Sequence, residues 1–213
     1  MGVLDRAFAA LYDPILGLAE RTGLAEERGR LLGDLAGHVV EIGAGTGANL
    51  PYLGSEVARA TLLEPVPEMA TKLRARLDDE RASGTLSVSR IEVLEAPAEA
   101  LPVGDDAADA VVSTLVLCSV DDLERSLTEI RRVLRPGGAL VLMEHVAAHG
   151  FRRRVQGVLE PAWKVIGRGC HLTRETLLAV QTAGFDTTEV EPWHLPGGGP
   201  TGLVVAGVAR NPA

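Results

Sequence analysis

Apolar and polar positions along the chain follow two alternating patterns, one with the period of a helix and one typical of buried strands. Within residues 2–36, apolar residues recur at helical spacing, which predicts two helices. From residue 38 onward, short apolar runs alternate with charged segments of helical period. The runs that predict strands are 38–42, 59–65, 86–96, 109–117, 139–146, 185–193 and 201–209. The segments that predict helices are one directly after the first strand, then 66–81, 121–134, 151–166 and 173–183.

The order of these segments predicts the fold class. Strands that alternate with helices form a doubly wound α/β sheet with right-handed crossovers. The last two strands are separated only by the glycine-rich segment 194–200, which is too short for a parallel crossover, so they are expected to be antiparallel neighbours. Asp121 is expected to cap the helix that follows it. We predict a single α/β domain over residues 1–213, with a doubly wound seven-stranded sheet, an antiparallel last strand and the N-terminal helices 2–36 as a cap.

Composition and charge narrow the range of partners. The chain has 213 residues, which suits one domain, and its formal net charge of −8 argues against a nucleic-acid partner. No stretch reaches the ~20 apolar residues of a membrane span, so no integral membrane segment is expected. The two cysteines, Cys118 and Cys170, lie far apart in sequence, which favours the reducing cytoplasm over a disulfide framework.

The segment VVEIGAGTGANL (39–50) places three alternating glycines directly after an apolar strand. Its glycines fit the dinucleotide motif of dehydrogenases and, counted from Glu41, the loop that holds S-adenosylmethionine (SAM) in class I methyltransferases. Glu64, which ends the second strand, suits either ligand because a carboxylate there accepts hydrogen bonds from ribose hydroxyls. The motif alone leaves both possibilities open.

Features outside the motif favour SAM. A dehydrogenase needs a substrate domain or a further parallel half, whereas this chain ends with an antiparallel pair of strands. Glu41, two positions before the first glycine, provides an acceptor for the ammonium group of SAM. We therefore expect SAM as cofactor, S-adenosylhomocysteine as product and a small molecule as methyl acceptor.

Three long segments, 39–50, 98–120 and 129–148, resemble consecutive motifs of the class I SAM-dependent methyltransferases. More narrowly, TLVLCSV, RPGGALVLMEHVAA and EPAWKVIGRGCHLTRET (160–176) resemble the alkyl-thiol S-methyltransferase family, the methyltransferase-like-seven group. The likeness extends from about Val39 to Phe185. It implies a Rossmann-like fold that transfers a methyl group from SAM to a thiol.

The motif and the resemblance together imply a set of cofactor-binding residues. Pro97-Ala98 replaces the common acid–alanine pair after the third strand, so adenine is expected to contact backbone amides, apolar groups and Glu99. Tyr12 is expected to cover the cofactor, by analogy with the N-terminal helices of this fold. The complete set is Tyr12, Glu41, Gly43, Gly45, Gly47, Glu64, Pro65, Ala98, Glu99, Thr114 and Leu115.

His145 is the candidate catalytic residue, because it ends the fifth strand at the edge where ligands bind in open α/β sheets. A general base and a histidine that merely caps a loop are both open interpretations. Trp163 and His171 are candidates for the acceptor site. A metal site built from Cys170 and His171 with His145 and His149 is conceivable, but no metal is expected, because these residues contain no closely spaced ligand pair.

The sequence thus predicts in-line methyl transfer from SAM to a small molecule, with a thiol as the expected acceptor. The pKa of a thiol, ~8.5, already gives some thiolate near neutral pH. The alternatives are N- or C-methylation of a lipid, a quinone or another small metabolite, and a non-catalytic SAM-binding protein.

Overall fold

The computed structural model describes residues 23–195 and 198–212. Tyr12 and most of the predicted N-terminal cap lie outside these ranges. The strands are β1 (Gly37–Ile42), β2 (Val57–Leu63), β3 (Ile91–Leu94), β4 (Ala108–Thr114), β5 (Leu134–His145), β6 (Asp186–His194) and β7 (Leu203–Arg210). The helices are α1 (Ala25–Leu32), α2 (Pro67–Ser83), α3 (Leu123–Val133), α4 (Gly150–Ile166) and α5 (Thr176–Thr182).

The seven strands form one sheet in the order β3-β2-β1-β4-β5-β7-β6. Strands β1 to β5 pair in parallel, and β7 runs antiparallel to both β5 and β6. The predicted fold class is therefore confirmed, including the antiparallel last strand. Because β1 and β4 are neighbours although two strands separate them in sequence, the sheet order reverses between them. This is the position at which open α/β sheets bind their ligands.

Two hydrophobic clusters cover the two faces of the sheet. Val40 and Val111 pack in one cluster, and their sequence neighbours Val39 and Val112 pack in the other. Successive side chains of a strand point to opposite faces, so a strand covered on both sides is apolar at every position. The unbroken apolar runs in the sequence follow directly from this burial.

Local differences from the sequence prediction have physical causes. The prediction of a helix after β1 is wrong. The chain forms turns and a short 3-10 helix at Leu50–Tyr52, because the glycines before it adopt left-handed backbone angles. Strand β3 is shorter than predicted, because the pairing with β2 extends only over Ile91–Leu94. The residue that caps α3 is Asp122 rather than Asp121; its side chain accepts a hydrogen bond from the Arg125 amide at 3.0 Å. Within the described ranges, no helix is long and apolar enough to cross a bilayer.

Candidate active site

The glycine-rich turn after β1 requires glycine for reasons of backbone geometry and space. Gly43, Gly45 and Gly47 have φ angles of 55°, 59° and 86°, in the left-handed region that side chains disfavour. A Cβ atom at Gly43 would lie 2.6 Å from a methyl group of Val116. The turn therefore presents bare backbone at the carboxyl end of the sheet.

Glu64, directly after β2, ties this turn to the neighbouring strand. Its carboxylate accepts the Gly45 amide at 2.9 Å and the Val66 amide at 2.8 Å. Burial raises the pKa of Glu64, although the two amide hydrogen bonds oppose this effect. Each carboxylate oxygen can accept more than one hydrogen bond. Glu64 can therefore hold the turn and still accept hydroxyl groups of a ribose.

A cavity of about 320 Å³ opens in front of this turn. Its volume is within the range of small-molecule sites. Two larger grooves, of about 570 and 420 Å³, lie elsewhere on the surface, and their described lining contains none of the predicted site residues. The predicted residues that do line the 320 Å³ cavity are Gly43, Gly45, Glu64, Pro65, Glu99 and Leu115.

Glu41 and Thr114 form a buried polar network beside the glycine-rich turn, and neither belongs to the described lining of the cavity. The Asn49 amide donates to Glu41 at 2.9 Å and to the Thr114 hydroxyl at 3.0 Å. Arg28 also donates to the Thr114 hydroxyl, at 3.1 Å. Burial raises the pKa of Glu41 to about 7, against the opposing effects of Asn49 and Arg28. In this structure Glu41 supports the loop from within.

The segment after β3 forms another wall of the cavity. Pro97 and Glu99 line it, whereas the Ala98 side chain packs in the hydrophobic core. Glu99 accepts the amides of Asp121 and Asp122 at 3.0 and 3.1 Å, which links this segment to the start of α3. The expected contribution of Ala98 is therefore restricted to its backbone.

A single buried carboxylate, Glu144 near the end of β5, organises the turn that follows β4. It accepts hydrogen bonds from the Ser113 hydroxyl at 2.6 Å and from the amides of Val116, Leu117 and Cys118 at 2.9, 3.0 and 3.1 Å. The side chain is fully buried. These bonds fix the direction of the chain as it passes from the cavity wall to Cys118.

His145, the predicted catalytic residue, faces two cysteines, Cys118 and Cys170, whose neighbours in sequence line the cavity. Its Nδ1 atom lies 3.8 Å from Cys118 Sγ and 3.5 Å from Cys170 Sγ, and the two sulfur atoms are 3.4 Å apart. All three side chains are buried. The contact between the thiols lowers the pKa of Cys170 and, together with burial, raises that of Cys118. Burial lowers the pKa of His145, but the Cys118 contact and the Glu144 charge outweigh it, so that the pKa lies above its usual value.

The two predicted acceptor-site residues occupy different positions around this cluster. The Trp163 ring meets the His145 ring edge-on, with 6.1 Å between centroids. His171 instead points towards Glu160, with 3.7 Å between Nδ1 and the carboxylate, and its backbone amide donates to the Cys118 carbonyl at 2.9 Å. Neither ring lies in the described lining of the cavity. Trp163 is thus placed with the buried cluster and His171 outside it.

Several residues of the site were missed in the sequence. Met69, Ser119 and Arg168 line the cavity, and Cys118 and Cys170 meet at His145. The position of Ser119 and Cys118 could have been inferred, because both follow β4 at the edge where β5 ends. Arg168 and Cys170 belong to the loop after α4, whose path depends on packing rather than on a sequence pattern.

Comparisons with known proteins show the family to which this chain is similar. Residues 40–142 match the family described as Methyltransferase domain. The chain is similar to the thiol S-methyltransferases TMT1A and TMT1B of Homo sapiens. For TMT1A the identity is 39% over 74% of this chain and 64% of the relative, and for TMT1B it is 41% over 72% and 62%. The chain thus spans just under two thirds of the length of these curated relatives.

A solved structure shows the same fold. A SAM-dependent methyltransferase from Thermotoga maritima superimposes with a TM-score of 0.67, at 24% identity, over 98% of this chain and 99% of that one. At this level of identity the likeness concerns the fold alone. It agrees with the strand order described above.

The buried Glu41 generates a prediction about pH. Its pKa rises from 4.5 to about 7 on folding, so between these pH values the unfolded chain loses the proton first and stability falls as pH increases. Over that range the loss amounts to on the order of 3 kcal/mol. Glu41→Gln keeps an acceptor for Asn49 but cannot titrate. Urea unfolding at several pH values should therefore show the variant gaining stability over the wild type as pH rises.

The matched control is Glu26→Gln, which changes an exposed carboxylate on α1. Its stability should run parallel to that of the wild type across the same range. If the free energy of unfolding of Glu41→Gln also ran parallel to that of the wild type across this pH range, Glu41 would not be held protonated by the fold.

Proposed function

We propose that this chain, a class I SAM-dependent methyltransferase similar to the thiol S-methyltransferases, transfers the methyl group of SAM to the sulfur of a small thiol. The observation that carries the proposal is the pairing of Glu64 with the bare turn at Gly45, in front of a cavity at the position where the strand order reverses. A sulfonium nucleoside needs such a carboxylate for its ribose and, unlike a dinucleotide, brings no diphosphate to neutralise.

The residues around the cavity fit the parts of the cofactor. Glu64 accepts the ribose hydroxyls, and the turn from Gly43 to Gly47 lies along the nucleoside. Leu115 and Glu99 bound the adenine side, together with Pro65 and the backbone at Ala98. Glu41 and Thr114 act through Asn49, which fixes the end of the turn where the amino-acid part of SAM is expected. Tyr12 covers the cofactor in this proposal.

Bound SAM would supply an electrophilic methyl group that a nucleophile displaces in line. The protein contributes alignment of the acceptor and exclusion of water, which are the larger part of such catalysis. A thiol requires little help from a base, because a useful fraction is thiolate near neutral pH. His145 does not reach the cavity directly and acts through Cys118 and Cys170 as a positioning residue. Trp163 orients this cluster on the acceptor side, and His171 borders it.

The net charge of the chain supports the kind of acceptor that we propose, and its cysteines support the proposed location of the protein. A net charge of −8 supports a small molecule rather than a nucleic acid. A cytoplasmic location forms part of the proposal, and the support for it is that the sequence has only two cysteines, which lie far apart in sequence and do not form the pattern of a disulfide framework.

The purified protein should convert SAM and a small alkyl thiol to the methyl thioether and S-adenosylhomocysteine in equal amounts. Mass spectrometry of both products provides the measurement. A parallel panel contains a primary amine, a hydroquinone and phosphatidylethanolamine vesicles. Turnover with one of these and not with thiols would replace the proposed acceptor, and no turnover despite SAM binding would indicate a non-catalytic SAM-binding protein.

Glu64→Gln should weaken SAM binding by about 10- to 100-fold, because hydrogen bonds to a charged acceptor contribute roughly 1.5–3 kcal/mol. Isothermal titration calorimetry of the variant measures this loss directly. Glu95→Gln is the control. Glu95 is an exposed carboxylate directly after the neighbouring strand β3, and it forms an ion pair with Arg74. Equal affinities of the two variants would show that Glu64 does not contact the cofactor.

His145→Ala should lower kcat with the thiol by about 10-fold or more while changing the SAM dissociation constant by less than about 3-fold. The physical reason is that His145 lies behind the acceptor side and not at the glycine-rich turn. The exposed His149, four residues later, provides the control variant His149→Ala. A parallel loss of SAM binding and kcat would assign His145 a purely structural role.

A further inference from the structure

The cluster of Cys118, His145 and Cys170 has the dimensions of one face of a tetrahedral metal site. With bonds of ~2.3 Å to sulfur and ~2.0–2.1 Å to nitrogen, tetrahedral zinc places two sulfur ligands about 3.8 Å apart and a sulfur and a nitrogen about 3.5–3.6 Å apart. The structure has 3.4 Å between the sulfurs, and 3.5 and 3.8 Å from the sulfurs to Nδ1. A cation placed above this triangle would reach all three atoms with shifts of a few tenths of an ångström.

The orientation of the histidine is the one that a metal at this triangle needs. Nδ1 faces both sulfurs, so a cation above the triangle would meet this nitrogen of the ring. The His145 ring contacts the Trp163 ring edge-on, with 6.1 Å between centroids. The buried Thr176 hydroxyl donates to the His145 carbonyl at 3.1 Å, which fixes the backbone at the end of β5.

The surroundings of the sulfurs are equally suited to bound thiolates. The Trp163 indole N–H is buried and, among the described residues, has no hydrogen-bond partner, although it lies at Gly167, close to Cys170. The Ser119 hydroxyl is 3.5 Å from Cys118 Sγ. Metal-bound thiolates accept hydrogen bonds from such outer groups. The indole N–H is therefore a donor that is still available close to these sulfurs.

The backbone holds the three ligands in place without the metal. Glu144 accepts the Cys118 amide at 3.1 Å, and the neighbouring His145 belongs to the same strand, β5. The Gly169 amide donates to the Lys164 carbonyl and the Cys170 amide to the Gly167 carbonyl, which forms a tight turn at the end of α4. Three elements thus bring one ligand each to a single point.

The cluster also borders the cofactor cavity. Ser119, which touches Cys118, lines the cavity, as do Gly167 and Arg168, just before Cys170. Zinc sites with three protein ligands, including those with two cysteines and a histidine, keep their fourth position for water or substrate. A small thiol bound in the cavity is the ligand that such a cation prefers.

We infer that Cys118, His145 and Cys170 bind a thiophilic divalent cation, Zn²⁺ by preference, and leave its fourth position to a sulfur ligand from the cavity. The cation site stands independently of the methyl acceptor, whereas the identity of the sulfur ligand rests on the proposed function.

The first experiment measures the cation alone. The full chain, without a histidine tag, is reduced, freed of metal with a chelator and titrated with Co²⁺ and then Zn²⁺ in the absence of SAM and thiol. We expect one ion per chain, with the intense near-ultraviolet absorption of thiolate-bound Co²⁺ and the visible bands of tetrahedral geometry, both removed by Zn²⁺. A reduced chain with two free thiols that binds neither ion would overturn the site.

Ligand variants test the assignment. Cys118→Ser and Cys170→Ser should each lower Zn²⁺ affinity by about 100-fold or more, since the loss of an outer partner alone typically costs 10- to 100-fold. His149→Ala and His171→Ala leave all three ligands and the Ser119 hydroxyl intact and provide matched controls. Circular dichroism and SAM calorimetry verify that each variant is folded. Affinities that are equal across the four variants would contradict the assignment.

The second experiment tests the open position. Addition of a small alkyl thiol to the Co²⁺ protein should intensify the near-ultraviolet band, because a further sulfur joins the ion. The same thiol with its sulfur methylated serves as the control and should leave the spectrum unchanged. A Co²⁺ spectrum that the thiol does not alter would restrict the cation to a structural role and overturn the sulfur-ligand part of the inference. Because this readout does not require turnover, it remains informative even if the proposed methyl transfer fails.

Discussion

The arrangement of the site depends on one buried carboxylate. Glu144 accepts four hydrogen bonds, three of them from the consecutive amides of Val116, Leu117 and Cys118. An ionised carboxylate in an apolar core is very costly unless it is compensated in this way. The turn after β4 is therefore the conformation that satisfies Glu144, and it fixes Val116 against Gly43, Ser119 in the cavity wall and Cys118 beside His145.

Three acidic residues near the carboxyl ends of parallel strands act differently because their partners differ. Glu64 is held by backbone amides and lines the cavity, so it has acceptor capacity left for a ligand. Glu144 uses its capacity entirely within the protein. Glu41 accepts a hydrogen bond from the Asn49 amide and is deeply buried, and the burial raises its pKa to about 7. Similar positions on a sheet therefore provide a ligand contact, a structural anchor and a titrating group.

The correctly predicted parts of the fold are those that depend on the pattern of a single strand or on the length of a single connection. Buried parallel strands leave unbroken apolar runs, and the short segment 194–200 excludes a crossover, so the sheet follows from local pattern. The side-chain direction of Ala98 and the cap at Asp122 were not predictable. In each case the neighbouring residue in the sequence would fit the pattern equally well, and a difference of one position decides the outcome. The meeting of Cys118 and Cys170 depends on the loop after α4, which packs against a strand end 52 residues earlier. No periodicity in the sequence carries that information.

The buried cluster is not explained by stability alone. Small apolar side chains could occupy these positions without burying an imidazole, whose nitrogens need partners in the core. The fold instead surrounds the group with polar and aromatic neighbours: the Ser119 hydroxyl lies 3.5 Å from Cys118 Sγ, and the Trp163 ring meets the His145 ring edge-on. Such an outer layer is characteristic of sites that orient ligand atoms, where partly satisfied polar groups would be worse than an apolar core. The cluster borders the cavity, because Ser119, next to Cys118, and Arg168, two residues before Cys170, both line it. The polar cluster and the glycine-rich turn therefore adjoin the same cavity, and the turn that Glu144 holds joins them.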